Sequence, residues 1–182
     1  MQLLLFLAAA LAALGCGGGS TAAEADAANV AVGTTQGTKI ADLALKDCDG
    51  NVVKLYDLLA GKKAALVDFG AGWCKPCREF QQKAVGFHAK YADKGLVILG
   101  VLWQDDNAEP ATNAFCKEWK TQYSIPFDEV IDPTNKYTKS FIDAGSTLPV
   151  LLVLDSAGVI RFKEVGSAEG DLESIIQDVL EL

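Results

Sequence analysis

The apolar run Ala64-Ala65-Leu66-Val67-Asp68-Phe69 passes through Gly70-Ala71-Gly72 into Trp73-Cys74-Lys75-Pro76-Cys77. A short, strongly apolar stretch closed by glycines reads as a strand. Pro76 fits the first turn of a helix, where its missing N–H costs nothing. The chain must therefore hand over from strand to helix here, with two thiols at the junction. Cys74 falls at the helix N-cap and Cys77 in the first turn. The unpaired N–H groups and partial positive charge of a helix N-terminus favour a thiolate, and Lys75 adds a nearby cation. A disulfide between Cys74 and Cys77 closes a very small ring, so it constrains little of the unfolded chain and contributes little stability. Such a bond is suited to being made and broken. Cys74 is then the exposed attacking thiolate and Cys77 the more buried resolving thiol. The competing reading is a zinc half-site, but that needs a second Cys pair or a His pair. The chain has one histidine, His88, and no second Cys-x-x-Cys.

Asp68 is the only charge in the strand, six residues before Cys74. Strand alternation points it toward the core beneath the thiols, where burial raises a carboxyl pKa; the alternative is a solvated strand end. The remaining pattern alternates strands and helices. Strands are predicted at 43–47, 51–55, 64–70, 96–103, 127–131, 149–154 and 158–164, with helices at 75–92, 108–122, 134–143 and 168–181. In the helix at 75–92, Phe80, Ala84, Phe87 and Tyr91 recur at helical spacing and form a core face. His88, on the same helix, reads as a surface or satisfied histidine. Asp105-Asp106 reads as a solvated turn and helix-start charge rather than a metal site.

The N-terminus carries a compartment signal. Residues 2–14 are almost wholly apolar but too few to span a bilayer. Cys16 follows Ala13-Leu14-Gly15, and Gly17-Gly18-Gly19-Ser20 opens a flexible, Ala-rich stretch. We expect a signal peptide over 1–15, lipid attachment at Cys16 with a tether over 16–32, and one folded domain over 33–182. No Lys or Arg precedes the apolar run, as one normally does in a signal peptide, and the alternative is an ordinary cleaved leader without lipid. A net charge of −8 argues against nucleic acid.

The segment from Val67 to Arg78 closely resembles the active site of thioredoxins, and the longer pattern resembles the envelope-anchored TlpA/ResA-like thiol-disulfide oxidoreductases of the AhpC/TSA superfamily. Three further stretches carry the likeness. These are the hairpin at 45–55, the segment Ser146-Thr147-Leu148-Pro149-Val150, and the hairpin that begins at Leu151-Leu152-Val153-Leu154-Asp155. The resemblance implies an α/β thioredoxin fold: a central mixed β-sheet flanked by helices, with an N-terminal β-hairpin and a helix-strand insertion. It also implies a disulfide reductase in which Cys74 attacks, Cys77 resolves and Asp68 takes and returns the Cys77 proton. Pro149 is then a cis-proline that exposes the Leu148 backbone to an extended substrate, with Trp73, Lys75 and Pro76 completing the active-site surroundings.

No cofactor or metal is expected. The implied partners are protein disulfides and a membrane electron donor, with the chain a monomer facing the periplasm. The chain departs from the pattern at Gly70, where thioredoxins carry Trp, and at Leu148, where Thr or Val is commoner. It also lacks a Lys in 96–103 to partner Asp68. The alternatives are a thiol peroxidase, against which Ala71 stands where that chemistry needs Thr, and an oxidant or isomerase running in the opposite direction. Copper delivery is a third, disfavoured by the Cys-x-x-Cys spacing. Apocytochrome c maturation, repair of envelope proteins and feeding of another reductase all stay open as tasks. Cys48 and Cys116 are left either bridged to each other or as two free thiols.

Overall fold

The strand β3 (Ala64–Gly70) is buried along its whole length. A strand without an exposed position must lie inside a sheet covered on both faces. In the computed structural model, which describes residues 30–142, 147–166 and 171–182, it is the fifth of seven strands. The leader 1–15, Cys16, most of the tether 16–32 and Ser146 lie outside the described residues.

The sheet comprises β1 (Ala44–Asp47), β2 (Val52–Lys54), β3, β4 (Leu96–Leu102), β5 (Asp128–Ile131), β6 (Val150–Asp155) and β7 (Ile160–Val165), in the order β2-β1-β5-β4-β3-β6-β7. β3, β4 and β5 run parallel, and β6 is antiparallel to β3. The helices are α1 (Leu55–Leu59), α2 (Lys75–Tyr91), α3 (Asn113–Tyr123), α4 (Thr138–Phe141) and α5 (Leu172–Leu180). Alternation along β3 splits the core. Ala64 and Leu66 pack with Phe80 and Ala84 of α2, Trp119 of α3 and Ile176 of α5. Ala65, Val67 and Phe69 pack with Leu55 and Leu59 of α1 and Phe141 of α4. This is the mixed sheet with flanking helices, hairpin and insertion expected of the thioredoxin fold.

Four local expectations are corrected. The strand at 51–55 ends at Lys54, because Leu55 and Leu59 sit one helical turn apart and are both buried, which makes a short helix. The helix at 108–122 starts at Asn113, capped by Thr112 Oγ1 accepting from Phe115 N. The preceding residues are held in a turn by Asp105 Oδ1, which accepts from Asn107 N at 2.8 Å and Glu109 N at 3.0 Å. Pro110 further disfavours helix at Glu109. The helix at 134–143 shrinks to α4, since the buried Asp132 carboxylate gathers the amides of Lys136, Tyr137 and Thr138 into a tight turn. Finally, folded structure begins inside the expected tether. Ala31 O accepts from Lys39 N and Lys39 O from Gly33 N, both at 2.9 Å.

The hairpin tip is fastened to α3. Cys48 and Cys116 form a disulfide with Cα atoms 5.2 Å apart and a sequence separation of 68. Asn113 Nδ2 donates to Asp47 O and Cys48 O, and Lys117 pairs with Asp49 at 2.8 Å. Bridging so long a loop removes much unfolded-chain entropy. Replacing both Cys48 and Cys116 by Ser is expected to lower stability by about 2–4 kcal/mol, measured by urea unfolding with the Cys74–Cys77 pair held oxidised.

Candidate active site

The junction between β3 and α2 is built from backbone contacts that leave no slack. Gly72 N donates to Gln104 O at 2.9 Å and Trp103 N to Gly70 O at 3.0 Å, laying the 70–74 loop against the loop after β4. A Cβ on Gly72 would stand 2.6 Å from Asp106 N and from Phe115 Cζ, so only glycine fits there. Cys74 is the N-cap of α2, its Sγ 3.1 Å from the Cys77 amide, with a proline in the first turn of the helix. The two sulfurs are joined as a disulfide with Cα atoms 5.3 Å apart.

Cys77 is fully buried and Cys74 is only 3% exposed. The exposed thiol expected at Cys74 is thus corrected: with the disulfide closed, the sulfur lies under its surroundings, though it is the more accessible of the two. Lys75 pairs with Glu79 at 3.5 Å on the solvent face of α2. Arg78, one turn on, donates to Gly72 O and secures the loop. Trp73 is 42% exposed, and its indole N–H donates to Gln104 Oε1 at 3.0 Å. Gln104 in turn donates to Ala108 O. The Leu148–Pro149 peptide is cis, and both side chains are buried.

Beneath the disulfide lies Asp68, 3% exposed. One oxygen, Oδ2, accepts from Gln81 Nε2 at 2.8 Å; the other, Oδ1, is buried without a hydrogen-bond donor. Gly70 keeps the space between acid and thiol open, since a Cβ there would lie 3.6 Å from Cys77 Sγ and 4.0 Å from Asp68 Oδ1. Desolvation pushes the Asp68 carboxyl up to about 7, against the Gln81 hydrogen bond that pulls it down.

Two buried groups escaped the sequence reading. Gln81, one turn after Cys77, bridges the Cys77 carbonyl and Asp68. Its signal was a polar residue beside the apolar face of α2. Glu129 on β5 is 2% exposed, a carboxyl buried in a strand whose other residues after Asp128 are apolar. Among the described residues, no group of three or more His, Cys, Asp or Glu side chains is placed to hold a metal ion. A groove of about 1130 Å³ lies at the other end of β3 between Lys62, Asp155, Arg161 and Asp178, away from the thiols.

A disulfide at a helix N-terminus above a buried acid, with a cis-proline just before β6, on a sheet of this order, defines a thioredoxin-fold dithiol protein. Residues 36–163 match the model of the AhpC/TSA family, and the chain belongs to that family. It is 31% identical over 139 residues to "Thioredoxin-like protein YneN" of Bacillus subtilis, covering 75% of each chain. It is 26% identical over 144 residues to "Thiol-disulfide oxidoreductase ResA" of Bacillus cereus, covering 79% of this chain and 78% of that one. A crystal structure assigned to a thiol:disulfide interchange protein DsbE from Chlorobium tepidum superposes with a TM-score of 0.68 at 27% identity, covering 80% of this chain and 98% of that one. The protein is a redox enzyme of the thiol-disulfide oxidoreductase class.

The Asp68 shift makes stability depend on pH. Its folded value near 7 exceeds the ordinary 3.8, so between those values the unfolded chain releases a proton that the folded chain keeps. Stability therefore falls as pH rises from about 4 to about 7 and then levels, by on the order of 4 kcal/mol from this group. Asp68→Asn is expected to match the parent near pH 4 and to exceed it near pH 8, as read from urea midpoints of the oxidised proteins.

Proposed function

We propose that the chain reduces protein disulfides on the periplasmic side of a bacterial inner or outer membrane. The observation that carries this reading is Asp68, a buried acid whose unpartnered Oδ1 and the buried Cys77 sulfur both lie within 4.0 Å of where a Cβ on Gly70 would stand. In the reduced enzyme the Cys74 thiolate attacks a sulfur of the partner disulfide. A mixed disulfide forms and the partner's other sulfur leaves as a thiolate. Cys77 passes its proton to Asp68 and attacks Cys74 Sγ. The second partner sulfur leaves and takes the proton back from Asp68, the first takes one from solvent, and the dithiol product is released. Two electrons have moved to the partner, and the Cys74–Cys77 disulfide has re-formed. A membrane electron donor then regenerates the dithiol.

Exposed Trp73, fixed by Gln104, supplies an apolar platform beside Cys74, and the cis Leu148–Pro149 segment lines the opposite side for an extended chain. The domain at 33–182, extended by the contacts of residues 31–33, is held to the membrane by lipid on Cys16 after cleavage behind residue 15. Relatives named ResA, and one named DsbE from Pseudomonas fluorescens, support an envelope setting. The DsbE name also makes cytochrome c maturation a task to test. No helix among the described residues is long and apolar enough to cross a membrane.

Cys74→Ser is expected to abolish turnover in an insulin-reduction assay, while Cys77→Ser accumulates mixed disulfides that a non-reducing gel resolves. Full activity in the Cys74 variant would end this mechanism. The direction is read from the reduction potential of the pair by equilibrium with a dithiol series. A value near −270 mV, about that of thioredoxin, fits a reductant. One near −120 mV, about that of a strong periplasmic oxidant, reverses the direction.

A further inference from the structure

The parallel pairing of β3 with β4 places a β4 residue beside Asp68, and that residue is Gly100. The register sets Asp68 opposite Gly100, and Gly100 opposite Glu129, in one row across β3, β4 and β5. In-register neighbours point to the same face, so Asp68 and Glu129 both rise toward the layer of α2 and α3 with a gap between them. Glu129 fills the gap. A Cβ on Gly100 would lie 2.3 Å from Glu129 Oε2 and 2.5 Å from Oε1, which places the carboxyl over Gly100, leaning toward β3. Strands are about 4.8 Å apart, so a carboxyl above the middle strand stands within one water of an acid on the next. Glu129 Oε2 and Asp68 Oδ1 are both buried and both lack a partner.

We propose that Glu129 is a positioning residue that stays protonated beside Asp68, so that the two acids hold one proton between them and Glu129 supplies, directly or through one water, the donor that Asp68 Oδ1 lacks. Two unit charges this close in a dry interior cannot both form cheaply. The other groups around Glu129 leave the pair intact. Lys120 of α3 is the nearby cation, but its ammonium is committed to Phe127 O at 2.7 Å. Gln81 of α2 and the bonded Cys48–Cys116 pair, whose sulfurs lie 3.8 Å from Glu129 O, are neutral. Asp47 of β1 turns its carboxylate to the amides of Asp49 and Asn51. Burial and the Asp68 charge hold Glu129 well above the usual carboxylate range, in keeping with a neutral acid at neutral pH. The pair therefore titrates as a unit, and Glu129 helps set the pH at which Asp68 becomes a proton acceptor.

This inference rests on the reading of Asp68 as the proton acceptor of Cys77 only for its effect on rate. The test separates the two. The Asp68 carboxyl is titrated by carbon NMR in the oxidised protein, assigned with Asp68→Asn, in the parent, Glu129→Gln and Glu129→Leu. Disulfide-reduction rates are profiled against pH for the same three. Gln keeps a donor and cannot ionise, so its Asp68 midpoint should stay within a few tenths of the parent. Leu fills the space without a donor, so its midpoint should rise by about one to two pH units, the size of a lost hydrogen bond to a charged group. An unchanged midpoint in the Leu variant overturns the proposal. Equal shifts in Gln and Leu also overturn it, because they report packing alone. If the Leu midpoint rises and the rate profile does not follow, the acid pair stands, and the role of Asp68 toward Cys77 fails instead.

Discussion

The burial of β3 on both faces is the constraint from which the site follows. Because each of its residues is covered, the strand can end only by leaving the sheet at Gly70, and the next element must start under the same cover. Pro76 and the Cys74 cap make that element a helix whose first turn contains both sulfurs. The disulfide is therefore held at a helix N-terminus by the strand behind it rather than by a loop of its own. The glycine at 72 lets the neighbouring β4–α3 loop close against this turn, and that loop presents Gln104 to Trp73.

The cost of this arrangement is a polar floor in an otherwise apolar core. Asp68, Gln81 and Glu129 are among the few buried polar side chains described, and three of their atoms lack hydrogen-bond partners. Each unsatisfied buried atom opposes folding, by about 1–3 kcal/mol. A core selected for stability alone would replace them with aliphatics. Their position under the disulfide fits the proposed role of Asp68, because burial is what brings a carboxyl close to neutrality. The Cys48–Cys116 bridge works in the opposite sense. It adds stability at β5, next to Glu129, where the buried acids subtract it.

Much of this was legible in the chain because the signals are local. The strand-to-helix turn, the capping thiol, the core face Phe80-Ala84-Tyr91 and the single charge in β3 all depend on spacing within one or two turns. The misreadings fall where a side chain overrules its own neighbourhood. Asp132 collects three amides and shortens a helix. Asp105 holds a turn where helical spacing pointed to a first turn of α3. The five residues of α1 were too few to separate from the strand before them.

Proline, cap and apolar run act within a dozen residues, so the local chain sets two thiols at the start of a helix behind a buried strand. It also determined that an acid would lie near them. The tertiary structure alone decided what that acid faces. Only the pairing of three parallel strands sets Asp68, Gly100 and Glu129 in one row, and only the missing side chain of Gly100 admits the Glu129 carboxyl there. The partnership of Cys48 with Cys116 was likewise decided in three dimensions, where the hairpin tip meets α3. Strand order and register join residues far apart in the chain, and no local pattern carries that information.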